Sequence, residues 1–218
     1  MSESTQRIRV WNLHTRIFHW LLVILVFSSL SLGMMGDNDL MVWHYRCGYT
    51  LLGLIGFRLV IGFMSGDYAR FNTFPFNPLR IPGYLKGEAY AGHNPLGVWM
   101  INLLLLAVTT QAISGLFTSD GFWLEGPWVS EANETTVSVA STIHGYGDIV
   151  FTALIGTHLL ANVIYAFWKK NQLIRAMFTG NKLFSPDVNL EAAKPTSWTA
   201  IIIGLIVAGF IAWVASNP

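Results

Sequence analysis

The sequence predicts an all-α integral membrane helix bundle with five transmembrane helices. Three observations predict it. Hydrophobic residues make up 53% of the 218 and charged residues 11%, whereas a soluble domain is nearer a quarter charged. Five apolar segments are each long enough to cross about 30 Å of hydrocarbon. Twelve of the thirteen basic residues fall on one side once the chain is threaded through those segments.

The first span covers about residues 16–35. Arg7, Arg9 and Arg16 stand before or at its start, as in a signal sequence. The run is as long as a span needs and no A-x-A site follows, so it reads as an uncleaved helix. Residues 36–39 (Gly-Asp-Asn-Asp) form a tight turn into the second span, about 41–64. Pro75, Pro78 and Pro82 then rule out a continuous helix before the third span, about 96–117. Residues 118–141 read as a polar loop carrying Asp120, Glu125, Glu131 and Glu134. The fourth span covers about 142–168. The fifth, about 198–214, is short and contains Gly204 and Gly209. There is no linker-like tract and no internal repeat, so residues 1–218 read as a single membrane domain.

Orientation follows from the cations. Arg58, Arg70, Arg80, Lys86, Lys169, Lys170, Arg175, Lys182 and Lys194 share a side with the three N-terminal arginines. Arg46 alone faces the other side, whose loops are acidic. The positive-inside rule therefore puts the N-terminus in the cytoplasm and the C-terminus across the membrane.

Four of the six histidines fall inside or at the mouth of spans: His19, His44, His144 and His158. A histidine in hydrocarbon is costly and is a functional candidate by default. His144 and His158 are 14 residues apart on one helix, so they point the same way, about 40° apart and about 21 Å apart in depth. Given the direction of each span, His44 matches His144 in depth near the outer face, and His19 matches His158 near the inner face. Each pair comes from two different helices, between helices 1, 2 and 4. Such a clamp suits two haems with bis-imidazole ligation, which favours electron transfer over oxygen binding. Arg16 and Arg58 are placed to pair the propionates of an inner haem, and Arg46 those of an outer one. Gly48, Gly53, Gly56, Gly145, Gly147 and Gly156 flank the ligands; they suit a planar cofactor between helices, or ordinary helix packing.

One cysteine, Cys47, excludes an internal disulfide and a thiolate metal cage. No C-x-x-C-H occurs, so any haem is expected to be non-covalent. The net charge of +1 carries no nucleic-acid footprint. A single intramembrane histidine often just bonds a neighbouring helix, but four at matched depths argue against that account. His14 and His93 read as loop or surface histidines, with proton handling beside a quinone as the alternative. Gln111, Asn102 and Asn162 read as interhelical hydrogen-bond residues, with quinone contact as the alternative. Asp148, one turn after His144, reads as a partner for Arg46, with uptake of a proton linked to outer-haem reduction as the alternative.

These stretches resemble the prokaryotic membrane di-haem cytochrome b family, which includes the b-type subunit of nickel–iron hydrogenases and bacterial cytochromes of the b-561 type. The resemblance rests on VWNLHTRIFHWLL, WHYRCGYTLLGLIGFRLVIGF and IHGYGDIVFTALIGTHLLANVIYAFWKKNQLIRAMFTG, supported by YARF, GHNPLG and SGLFTSDG. It covers about residues 8–182, with the fifth helix appended. By position it implies haem ligation at His19, His44, His144 and His158. It also implies two non-covalent b haems in a bacterial inner membrane, exchanging electrons between the quinone pool and a periplasmic redox protein, either hydrogenase or a soluble c-type cytochrome. Two other readings remain open: a stand-alone quinone-linked oxidoreductase acting on a small molecule such as superoxide, and a haem-free metal transporter.

Overall fold

The computed structural model describes residues 5–167 and 173–218. Lys169 and Lys170, and Trp168 at the expected end of the fourth span, lie outside the described residues. The chain runs from strand β1 (Gln6–Arg9) into α1 (Leu13–Met35) and α2 (Asn38–Met64). A loop with the short helix α3 (Ile81–Leu85) leads to α4 (Pro95–Leu116) and then to α5 (Glu134–Phe167). Helix α6 (Leu173–Thr179), strand β2 (Asn181–Phe184) and α7 (Trp198–Ser216) complete it. Helices α1, α2, α4, α5 and α7 are long and apolar enough to cross a membrane, and they correspond to the five expected spans.

Local chemistry sets the boundaries. Gly36 takes a left-handed φ of 63° and ends α1, a conformation that glycine adopts without Cβ strain. The Asp37 carboxylate then accepts from the backbone N–H groups of Asp39 and Leu40 and starts α2. Asn94 caps α4 through Gly97 N at 2.8 Å, with Pro95 at its first position. Ser197 caps α7 in the same way.

One expectation changes. Residues 134–141 are helical, not loop: α5 begins at Glu134, where Asn133 accepts from Thr136 N at 2.9 Å. The apolar pattern marks only the part of a helix that meets lipid, so a polar first turn is invisible to it. The all-helical architecture is as expected, with one small addition at its edge: β1 and β2 pair antiparallel, Gln6 opposite Phe184 and Arg9 opposite Asn181.

Helix α2 is the hub, packed on α1, α4 and α7, while α5 packs mainly on α4. The glycines of α2 divide their work. A Cβ at Gly53 would lie 2.7 Å from Ala208 O, and one at Gly56 would run into the Ile211 side chain. Both therefore serve close packing of α7 on α2. The loop ends are tied together at the basic side by Asp67, which is buried. Its carboxylate accepts from Asn12 N at 3.0 Å, Thr15 Oγ1 at 2.8 Å, Ser65 Oγ at 2.5 Å and Ala69 N at 3.0 Å. Ser65 and Gly66 N also meet Thr196 Oγ1, at 3.0 and 3.1 Å, which fastens the start of α7 to the end of α2.

Candidate functional site

The four intramembrane histidines come from α1 (His19), α2 (His44) and α5 (His144, His158). An apolar layer lies between the two levels. Val26, Leu51 and Phe151 are buried in one cluster with Ile55 and Val108. Each of the first three stands seven residues after a histidine: His19, His44 and His144 respectively. Seven residues are close to two helical turns, or about 10 Å. The layer therefore sits on the histidine-bearing faces, midway between the levels.

At the outer level the His44 and His144 rings face each other, with centroids 6.2 Å apart and planes at 87°. An imidazole–metal bond is about 2 Å long. Two such bonds plus half a ring at either end come to roughly 6 Å, so the pair is spaced for one metal atom held between them. The second ring nitrogens are fixed. His44 Nδ1 lies 2.9 Å from Ser29 O and His144 Nδ1 lies 3.0 Å from Gln111 O. A carbonyl only accepts, so Nδ1 carries the proton in both and Nε2 keeps its lone pair. Metal-binding histidines commonly show this arrangement.

A cavity of about 340 Å³ opens at this level, lined by both rings and by Gly33, Gly48, Gly115 and Gly145. At Gly48 and Gly145 an added Cβ would meet nothing within 4 Å. Of the glycines flanking the ligands, these two therefore leave open space beside the outer histidines, and Gly156, where an added Cβ also meets nothing within 4 Å, does so two residues before His158. Gly147 instead abuts the Gln111 side chain. Gln111 donates from Nε2 to His144 O at 3.0 Å, while its Oε1 is buried without a partner. Among the described residues no group of three or more His, Cys, Asp or Glu could hold a metal ion. A macrocycle that brings its own equatorial nitrogens needs only the axial pair, and the residues present fit that group.

At the inner level His19 and His158 stand within electrostatic reach of each other. His19 Nδ1 is buried with no hydrogen-bond partner. Asn162 Nδ2 lies 3.3 Å from His158 Nε2 and donates to His158 O at 2.8 Å. Among the described residues, the inner pair thus shows no carbonyl anchors like those of the outer pair.

The three arginines differ. Arg58 is 6% exposed, its guanidinium 4.6 Å above the Phe71 ring and 5.8 Å from Phe74, with Nη1 unpartnered. Arg16 donates from Nη1 to Phe178 O and leaves Nε buried and unpartnered. Both have donors to spare. Arg46 is exposed and stacks on Trp43 at 4.7 Å.

His93 is a loop residue, as expected, but it does not face solvent. Its ring packs 4.6 Å from Trp11 and 4.9 Å from Phe74, and Nδ1 is buried. Burial, followed by the nearby charges of Arg58 and Lys182, lowers its pKa to about 3. Lys182 is itself buried, donating to Ala91 O and Gly92 O at 2.9 Å, and burial lowers its pKa to about 8. His14 sits 3.4 Å from Thr196 Oγ1 in the Asp67 clasp.

Sequence reasoning missed Ser29, Gly33 and Gly115 beside the outer histidines. Their signal was available only in part: glycine in a membrane helix is common, and whether a histidine reaches the carbonyl it uncovers depends on the neighbouring helix. A family model described as prokaryotic cytochrome b561 matches residues 10–180. No curated protein and no solved structure matches the chain.

Proposed function

The chain belongs to the prokaryotic cytochrome b561 family, and from that membership we propose that it is a di-haem electron relay of the bacterial inner membrane. Two non-covalent b haems are held one above the other: the outer by His44 and His144, the inner by His19 and His158. The observation that carries this reading is the outer pair, 6.2 Å apart with both Nδ1 atoms committed to carbonyls. Bound haem supplies a one-electron couple. His44 with His144, and His19 with His158, would hold one haem at each level by two imidazoles, an arrangement that would favour electron transfer. Arg58 and Arg16 hold the inner propionates with their spare donors, and Arg46 turns from Trp43 to the outer ones.

In this reading electrons pass between the membrane quinone pool and a periplasmic redox protein, either a hydrogenase or a soluble c-type cytochrome. The N-terminus is cytoplasmic and the C-terminus periplasmic, as the cation bias favours. The acidic outer loops suit a basic face on the partner.

The test is haem stoichiometry with four substitutions. Pyridine haemochrome should give two b haems per chain. His44→Ala and His144→Ala should each remove one and the same haem from the reduced-minus-oxidised spectrum. His19→Ala and His158→Ala should each remove the other. A parent with one haem or none, or histidines that pair differently, would overturn the reading.

A further inference from the structure

The two outer histidines are seated in the same way on two different helices. His44 of α2 bonds Ser29 O of α1, and His144 of α5 bonds Gln111 O of α4. In each case the residue four positions after the carbonyl is glycine: Gly33 after Ser29 and Gly115 after Gln111. That offset has a physical meaning. A helical side chain leans toward the N-terminus and covers the turn before its own Cα. The carbonyl at position i is therefore screened by the side chain at i+4, and a glycine there uncovers it. An added Cβ at Gly115 would lie 2.9 Å from His144 Cε1 and 3.3 Å from its Nδ1. At Gly33 it would lie 3.1 Å from His44 Cε1 and 3.2 Å from its Nδ1.

We propose that Gly33 and Gly115 are positioning residues. By leaving the Ser29 and Gln111 carbonyls uncovered, they hold His44 and His144 in one tautomer and one ring plane. The proposal rests on the outer pair being a haem site. Its consequence is electronic as well as steric. A hydrogen bond from Nδ1–H to a carbonyl makes the imidazole a stronger donor through Nε2. A stronger donor favours the ferric state and so lowers the reduction potential. Pushing the ring off its carbonyl weakens that donation and raises the potential of the outer centre alone.

The experiment is potentiometric titration and electron paramagnetic resonance of the full-length holoprotein, comparing the parent with Gly33→Ala, Gly115→Ala and Gly209→Ala. An added Cβ at Gly209 would meet nothing within 4 Å, so that variant is the control. Alanine improves helix propensity at each site, so helix weakening does not confuse the result. Gly33→Ala and Gly115→Ala should raise the outer potential and change its g values, leaving the inner centre and Gly209→Ala at parent values. The shift should be larger for Gly115→Ala, where the approach is closer. Loss of only the outer signal from Gly115→Ala, with a shifted outer signal in Gly33→Ala, also supports the proposal. Unmoved potentials and g values in both variants overturn it, as does equal loss of both centres. A parent without an outer low-spin haem would instead overturn the di-haem reading itself.

Discussion

His44 and His144 meet with their ring planes at 87°, a near-perpendicular crossing set by two separate helix carbonyls. Axial imidazoles at right angles leave two metal d orbitals of nearly equal energy. Low-spin ferric iron between them should give a highly anisotropic resonance signal with a large leading g value. Parallel rings would give a rhombic signal instead. Low-temperature spectra of His19→Ala, which should retain the proposed outer centre, check this directly.

Gly53 and Gly56 should differ in their tolerance of alanine. At Gly53 the new methyl meets the Ala208 backbone carbonyl, 2.7 Å away, which cannot turn aside. At Gly56 it meets the terminal methyl of Ile211, which can rotate. Overpacking against fixed atoms costs typically about 1–3 kcal/mol. Gly53→Ala should therefore lower thermal stability in detergent clearly more than Gly56→Ala.

Asp67 receives four hydrogen bonds in a buried clasp, from Asn12, Thr15, Ser65 and Ala69. Asp67→Ala strands those donors, at roughly 1–3 kcal/mol for a buried unsatisfied group. A total loss on the order of 3 kcal/mol is expected. Asp67→Asn, which keeps two acceptor lone pairs, should lose less. Thermal denaturation of the three proteins ranks them.

Acid should loosen the loop around His93. Its pKa is lowered from 6.5 to about 3 in the folded chain, first by burial and then by Arg58 and Lys182. Between those values the unfolded chain binds the extra proton, so stability falls as pH drops from about 6.5 toward 3. His93→Phe keeps a ring between Trp11 and Phe74 and removes that titration. Its stability should depend less on pH in that window, and parallel melts from pH 4 to 7 test this.

Much of the site was legible in the sequence because depth along a membrane helix is a matter of counting. His19, His44, His144 and His158 could be paired by level from residue number and the cation bias alone. The rings of the outer pair do meet. The missing parts depend on neighbours distant in sequence. Strands β1 and β2 are four residues each and pair across most of the chain; alone, neither carries a readable period. His93 looked solvent-facing because the Trp11 ring that covers it comes from far earlier in the sequence. Gly53 and Gly145 looked alike, yet one seats α7 and the other borders the cavity.

In the proposed relay the separation of the two levels, with the apolar layer of Val26, Leu51 and Phe151 between them, would also carry a voltage dependence. His144 and His158 stand about 21 Å apart along α5 in a hydrocarbon core about 30 Å thick. An electron moving from one level to the other would cross roughly two-thirds of the membrane field. One charge across the full field is worth about 2.3 kcal/mol per 100 mV, so the step is worth about 1.5 kcal/mol per 100 mV. In an energised cell, the sharing of an electron between the levels would shift by about tenfold per 100 mV, with no change in any ligand.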